Sequence, residues 1–168
     1  GWLDSDDIYW DGAFELAAKM FEENKGAALI FGDWLSIDAR DRIIDKHFAF
    51  DFSINHLIYE GFHLNAQAMF WRELVHSDFR GFYRDLNFTM DYQMIVDFGL
   101  RFGGDFIRVP IALGAFRRYE GQKTTLLSER VKDEHKRIAQ RYDFSKKFEL
   151  LGRVRRLYFR VRRLCWYT

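Results

Sequence analysis

The chain has 168 residues, 48% apolar and 18% aromatic, enough for one domain with a full core and incompatible with a disordered chain. No run approaches the roughly 18 uninterrupted apolar residues of a spanning helix, and the single cysteine, Cys165, excludes an internal disulfide or a cysteine zinc site and suits a reducing compartment. The net charge of +1 conceals an asymmetry: residues 145–168 carry eight Lys and Arg against Glu149 alone, a balance of +7 that leaves −6 for the preceding 144 residues.

The chain opens on GWLDSDD, where three carboxylates crowd four positions. Like charges this close persist when they are solvated, cap a helix or hold a cation. An EF-hand loop counted from Asp4 fails, because Ile8 falls at the fifth ligand position and Tyr9 where the loop requires glycine. What survives is a strand end feeding a D-x-D-D turn and then a helix. Asp11 is expected to cap that helix, whose apolar positions Phe14, Leu16, Ala17, Met20 and Phe21 recur at helical spacing as far as Lys25-Gly26.

AALIF (27–31) reads as a buried strand ending at Gly32-Asp33, with strand-like runs following over 34–37 and 42–50. Residues 51–60 suit a short helix, AQAMFW (66–71) a strand, and RELVH (72–76) a helical turn. DYQMIVDFGLRF (91–102) predicts a helix with Tyr92, Ile95, Val96 and Leu100 on one face, stopped by Gly103-Gly104. FIRVPIALGAFR (106–117) is strand-like with a break at Pro110, and helices over 126–141 and 146–165 close the chain. Alternating strands and helices argue for an α/β sheet covered by helices. In such sheets ligands gather at the carboxyl ends of strands, where a cation on the acidic turn can bridge the phosphates of a nucleotide. The five histidines, His47, His56, His63, His76 and His135, have no metal-ligand spacing and read as structural or surface residues.

GWLDSDDIYWDGAFELAAKMF followed by ALIFGDW, then AQAMFWREL, FTMDYQMIVDFGLRFG and FIRVPIALGAFRRYEGQKTT, resembles family 2 glycosyltransferases, in order and spacing over about residues 1–140. The resemblance implies an α/β fold of the GT-A kind: a mixed sheet flanked by helices, here over 1–125, with a C-terminal helical extension over 126–168. It implies inverting transfer of a sugar from a nucleotide-diphosphate donor to a saccharide or lipid-linked acceptor hydroxyl, assisted by Mn²⁺ or Mg²⁺. Asp4 and Asp6 match the D-x-D pair. Asp6 is the expected metal ligand, Asp4 lies nearer the donor's ribose and phosphates, and Asp7 supports both from behind. Asp91 matches the carboxylate that takes the acceptor proton, a role that competes with simple capping of the helix. Inversion needs one base opposite the leaving nucleotide, and a carboxylate at a helix start can be aimed from a fixed backbone.

Gln67, Trp71 and Arg72 match a segment on the acceptor side, and Arg117 and Lys123 are candidates to neutralise the diphosphate. For Trp71 the alternative is a core aromatic, and for Arg117 a surface ion pair. Two positions depart from the family: Tyr119 stands where many members have a metal-binding His, and Met90 where many carry an acid. The family's nucleotide-binding half normally precedes the D-x-D motif, so the expectation is a C-terminal portion whose base-reading residues lie upstream. The competing expectation is a non-catalytic binding or membrane-associated module.

In the last helix Leu150, Leu151, Val154, Leu157, Tyr158, Val161, Leu164 and Cys165 fall on one arc and the arginines on the other. This basic amphipathic pattern fits an anionic membrane surface, with the protein peripheral on the cytoplasmic face, or equally an arc packed on the domain with solvated arginines. The acidic body argues against a nucleic-acid partner.

Overall fold

The computed structural model describes residues 1–60, 64–122, 128–142 and 144. The elements run β1 (Ile8–Tyr9), α1 (Ala13–Glu23), β2 (Leu29–Ile37), β3 (Ile43–His47), α2 (Ile54–Glu60), a 3₁₀ turn (Ala66–Ala68), β4 (Met69–Trp71), α3 (Glu73–Ser77), α4 (Met90–Phe102), a second 3₁₀ turn (Gly103–Asp105), β5 (Phe106–Arg117) and α5 (Ser128–Arg141). They form a mixed α/β architecture. The sheet is ordered β1-β5-β2-β3, with β4 also pairing β2. β5 lies parallel to β2, and the other pairings are antiparallel.

β2 is central and buried almost throughout, which is why its sequence is a near-continuous apolar run. It does not stop at Gly32-Asp33 as expected. The irregularity lies in its partner: between Val109 and Gly114, β5 carries extra residues that β2 does not match, so the pairing shifts at Gly32, Asp33 and Trp34. Pro110, which has no N–H to give a ladder, sits in this bulge. Gly32 is required opposite it, because a Cβ there would strike the Ile111 carbonyl.

One face of the sheet is covered by α1, where Ala13 and Ala17 pack with Ile30, Val109 and Leu113. The other face meets α2, α4 and α5 in a larger cluster built on Phe31, Leu57, Met69, Ile95, Phe98 and Ile138. Each such large side chain contributes about 1.5–3 kcal/mol on burial.

α1 starts after Gly12, whose φ of 74° is left-handed, and no side chain caps it, so the expected Asp11 cap is absent. Phe14 also departs from the expected apolar face: it is 59% exposed, lying edge-on to Tyr9 and Phe70. In α4, Tyr92, Ile95 and Val96 are buried as expected, but Leu100 is 50% exposed. Each four-residue step overshoots a full turn by about 40°, so the series 92, 96, 100 drifts off the face that Phe98 and Gly99 continue. The helix expected over 146–165 lies outside the described residues.

Candidate active site

The register of three strands assembles the site. Ile37 at the carboxyl end of β2 pairs with Arg117 at the carboxyl end of β5. β1 runs antiparallel to β5, with Ile8 opposite Ala115, so the residues just before β1 are carried back to the same end. Those residues are the acidic turn, closed by the Asp7 N–H donating to the Asp4 carbonyl at 3.1 Å.

The three carboxylates of the turn have different surroundings. Asp4 is exposed and accepts from the Trp2 indole at 3.0 Å. Asp6 is half-buried, and its Oδ2 accepts from the Tyr119 hydroxyl at 3.1 Å, leaving Oδ1 without a hydrogen bond among the described residues. This hydrogen bond, with the Asp6 charge adding to it, in turn holds the Tyr119 hydroxyl above its usual range. Asp7 is buried and fully engaged: Oδ1 accepts the Arg117 backbone N–H at 2.8 Å, and Oδ2 accepts from Gln67 Nε2. Burial, opposed by the Arg117 N–H and reinforced by repulsion from Asp6 and Asp4, pushes Asp7 up to about 6.

Arg117 ties this turn to the rest of the sheet. Its Nε donates to the Asp6 carbonyl at 2.7 Å, its Nη1 to the Asp38 carbonyl at 2.9 Å, and its Nη2 pairs with Asp41 at 2.6 Å. Three guanidinium nitrogens are therefore spent on protein groups, and the planar fork fixes the turn against the end of β2.

Asp91 stands in the first turn of α4 and is half-buried, with Oδ1 accepting the Tyr92 N–H at 2.8 Å. Desolvation is the main force that raises its carboxyl to about 6, and the charge of Asp4 adds to it. Residues 87 positions apart in the chain thus sense each other electrostatically. The N-cap residue Thr89 makes no side-chain bond to its own helix. Instead the peptides leading into α4 are held by Glu134 of α5, a carboxylate that the sequence did not single out. A signal existed: Val131, Glu134, His135 and Ile138 share one stripe of α5 at spacings of three and four.

The remaining expected site residues are distributed as follows. Gln67 is 2% exposed and sits under the acidic turn against Asp7, with its Oε1 buried and unbonded among the described residues. Gly114 makes room for it, since a Cβ there would strike the Gln67 carbonyl. Trp71 and Arg72 are not brought to the acidic turn. Trp71 pairs with Leu29 at the opposite end of β2 and packs edge-on against Phe98. Arg72 lies over the Phe21 ring and donates to the carbonyls of Ala27 and Phe21, each at 2.8 Å, where the end of α1 meets the start of β2. Lys123 and His63 lie outside the described residues. His47 stacks on Trp34 at 3.6 Å, and His135 packs on Tyr92.

No group of three His, Cys, Asp or Glu among the described residues is arranged to hold a metal by itself. A cation bound through one or two carboxylates and substrate phosphates needs no such cage, and the free oxygen of Asp6 beside exposed Asp4 fits that mode. No helix among the described residues is long and apolar enough to cross a membrane. No family model matches the chain, and no curated protein matches it.

Proposed function

We propose that this chain carries the metal- and acceptor-side residues of an inverting glycosyltransferase of the GT-A kind, moving a sugar from a nucleotide-diphosphate donor to a saccharide or lipid-linked hydroxyl. One observation carries the reading. The first turn of α4 stands close enough to the acidic turn that the charge of Asp4 adds to the desolvation raising Asp91, and Asp6 lies in that same turn two residues from Asp4.

In the reaction the acceptor oxygen attacks the anomeric carbon as the bond from that carbon to the diphosphate breaks. The diphosphate leaves with the bonding pair, and the acceptor proton passes to Asp91. A carboxyl titrating at about 6 is ionised at neutral pH yet more basic than an ordinary aspartate, which suits a general base. Asp6, with Asp4 beside it, would hold a divalent cation, which when bound supplies charge stabilisation to the departing diphosphate. Asp7, Gln67 and Arg117 keep those two carboxylates aimed by fixing the turn from beneath.

The test uses the full-length natural protein with manganese and a panel of sugar nucleotides, measuring transfer and nucleotide binding. Transfer that is lost in Asp91→Asn while nucleotide binding persists supports the reading; full activity in Asp91→Asn removes the proposed base. Failure to bind any nucleotide in the presence of metal removes the enzyme reading itself. The basic segment 146–168 is proposed to rest on the cytoplasmic face of a membrane. Flotation with anionic vesicles that is unchanged on deleting this segment overturns that placement.

A further inference from the structure

We infer that Glu134 of α5 is a positioning residue for Asp91, clamping the peptides that enter α4 so that the base faces the acceptor. This rests on the transferase reading above.

Glu134 is 2% exposed, although it lies on a strongly polar helix. Its Oε1 accepts the Asn87 N–H at 2.9 Å, and its Oε2 accepts the Phe88 N–H at 2.9 Å, the Thr89 N–H at 3.1 Å and the Thr89 hydroxyl at 3.0 Å. Three consecutive backbone donors converging on one carboxylate form an anion-binding concavity. The last of them belongs to the N-cap of α4, two residues before Asp91. A buried carboxylate is tolerated only when its lone pairs are filled, so the charge and the loop conformation enforce each other. Charge-assisted bonds of this kind are about twice as strong as neutral ones. Neighbouring contacts extend the grip: His135 packs on Tyr92, and Arg137 and Arg141 pair with Asp85. The Asp91 carboxylate is held by backbone N–H groups of Tyr92 and of Asp91 itself, both in the first turn of α4, so its aim depends on where this loop places the helix start.

The test compares Glu134→Gln, Thr89→Val and Asp91→Asn in the full-length protein. Glutamine keeps the shape but presents an amide nitrogen that cannot accept from the peptides. The expected result is a fall in kcat of about 100-fold, the scale for a small misplacement of a reacting group, with donor KM unchanged. Amide exchange at Asn87, Phe88 and Thr89 should accelerate in the same variant. Adding Glu134→Gln to Asp91→Asn should lower activity no further, because both act through one group. Thr89→Val removes one of the four bonds without burying an unpaired charge. It should give a smaller loss in kcat, again without a change in KM, and it stands in if Glu134→Gln does not fold. A folded Glu134→Gln with unchanged kcat, or losses that add to those of Asp91→Asn, overturns the positioning role. For Thr89→Val alone, unchanged kcat overturns it. Full activity in Asp91→Asn would sink the transferase base whatever Glu134 does, so the two failures are separable.

Discussion

The acidic turn and the entrance to α4 each hold an aspartate raised to about 6, both mainly by burial, yet the two carboxylates have opposite degrees of freedom. Asp7 is bonded by a backbone N–H from β5 and by the Gln67 amide, so both oxygens are committed. Asp91 is bonded by the next residue of its own helix, and its loop is anchored from a distance by Glu134. Equal proton affinity therefore does not mean equal role. The fully bonded carboxylate is a keystone, and the one held at its root is the proposed base.

The sharpest test of this contrast is Asp91→Asn, expected to lower kcat by 10²–10⁴-fold, the range for loss of a general base, while the melting temperature at neutral pH does not fall below that of the parent, because a desolvated charge is removed. The parent's rate should rise with pH through about 6 as Asp91 ionises, and a flat profile across that range would break the assignment. Next in size is Arg117→Ala. It removes three bonds that tie the turn to β2 and should lower unfolding free energy by about 3 kcal/mol in denaturant melts, with nucleotide binding lost alongside.

Asp7→Asn should behave oppositely to Asp91→Asn, keeping most activity. The sign follows from the raised carboxyl. Below its unfolded value of 3.8 the acid is protonated in both states, and above about 6 ionisation disfavours the folded state. Asp7 should thus cost the parent up to about 3 kcal/mol of stability between pH 4 and 6 at 1.36 kcal/mol per pKa unit, beside a loss of the same sign from Asp91. Asp7→Asn should flatten that slope, with Gln67 turned to offer its unbonded Oε1 to the new amide. A variant that is instead destabilised at pH 8 would show that the Asp7 charge is needed. The smallest effect is expected for Tyr119→His, which replaces a hydroxyl on Asp6 with an imidazole. Stability should move by less than about 0.5 kcal/mol while manganese affinity increases, read by metal titration.

Helices and strands with strong periodicity were legible. β5 occupies the whole expected span 106–117, and α4 begins one residue before its expected start. The misread end of β2 came from its partner: the bulge in β5 requires a glycine opposite it, and Gly32 read alone looks like a strand end. The acidic turn stands out as clustered charge, whereas Asp91, alone in FTMDYQM, was singled out through the resemblance of its segment to the family. Arg72 was assigned to the acceptor side by resemblance, and only tertiary packing shows its guanidinium bonded to the carbonyls at the end of α1. Glu134 was missed because glutamate on a polar helix normally faces water, and its stripe with Val131 and Ile138 becomes meaningful only once α5 is docked.

The bulge in β5 also sets a rule about counting. Opposite Gly32 the pairing residue is Val109, but opposite Trp34 it is Gly114, so β5 spends five residues where β2 spends two. The surplus of three is odd, and side chains alternate along a strand, so the far half of β5 is in the opposite phase from the near half. That phase is what delivers Arg117, rather than Phe116, to the carbonyl of Asp6. A one-residue change between Val109 and Gly114 must therefore be absorbed inside the bulge if Arg117 is to keep its pairing with Ile37 and its bond to Asp7. The length of this short segment is thus a constraint in its own right, alongside the burial of Leu113 within it.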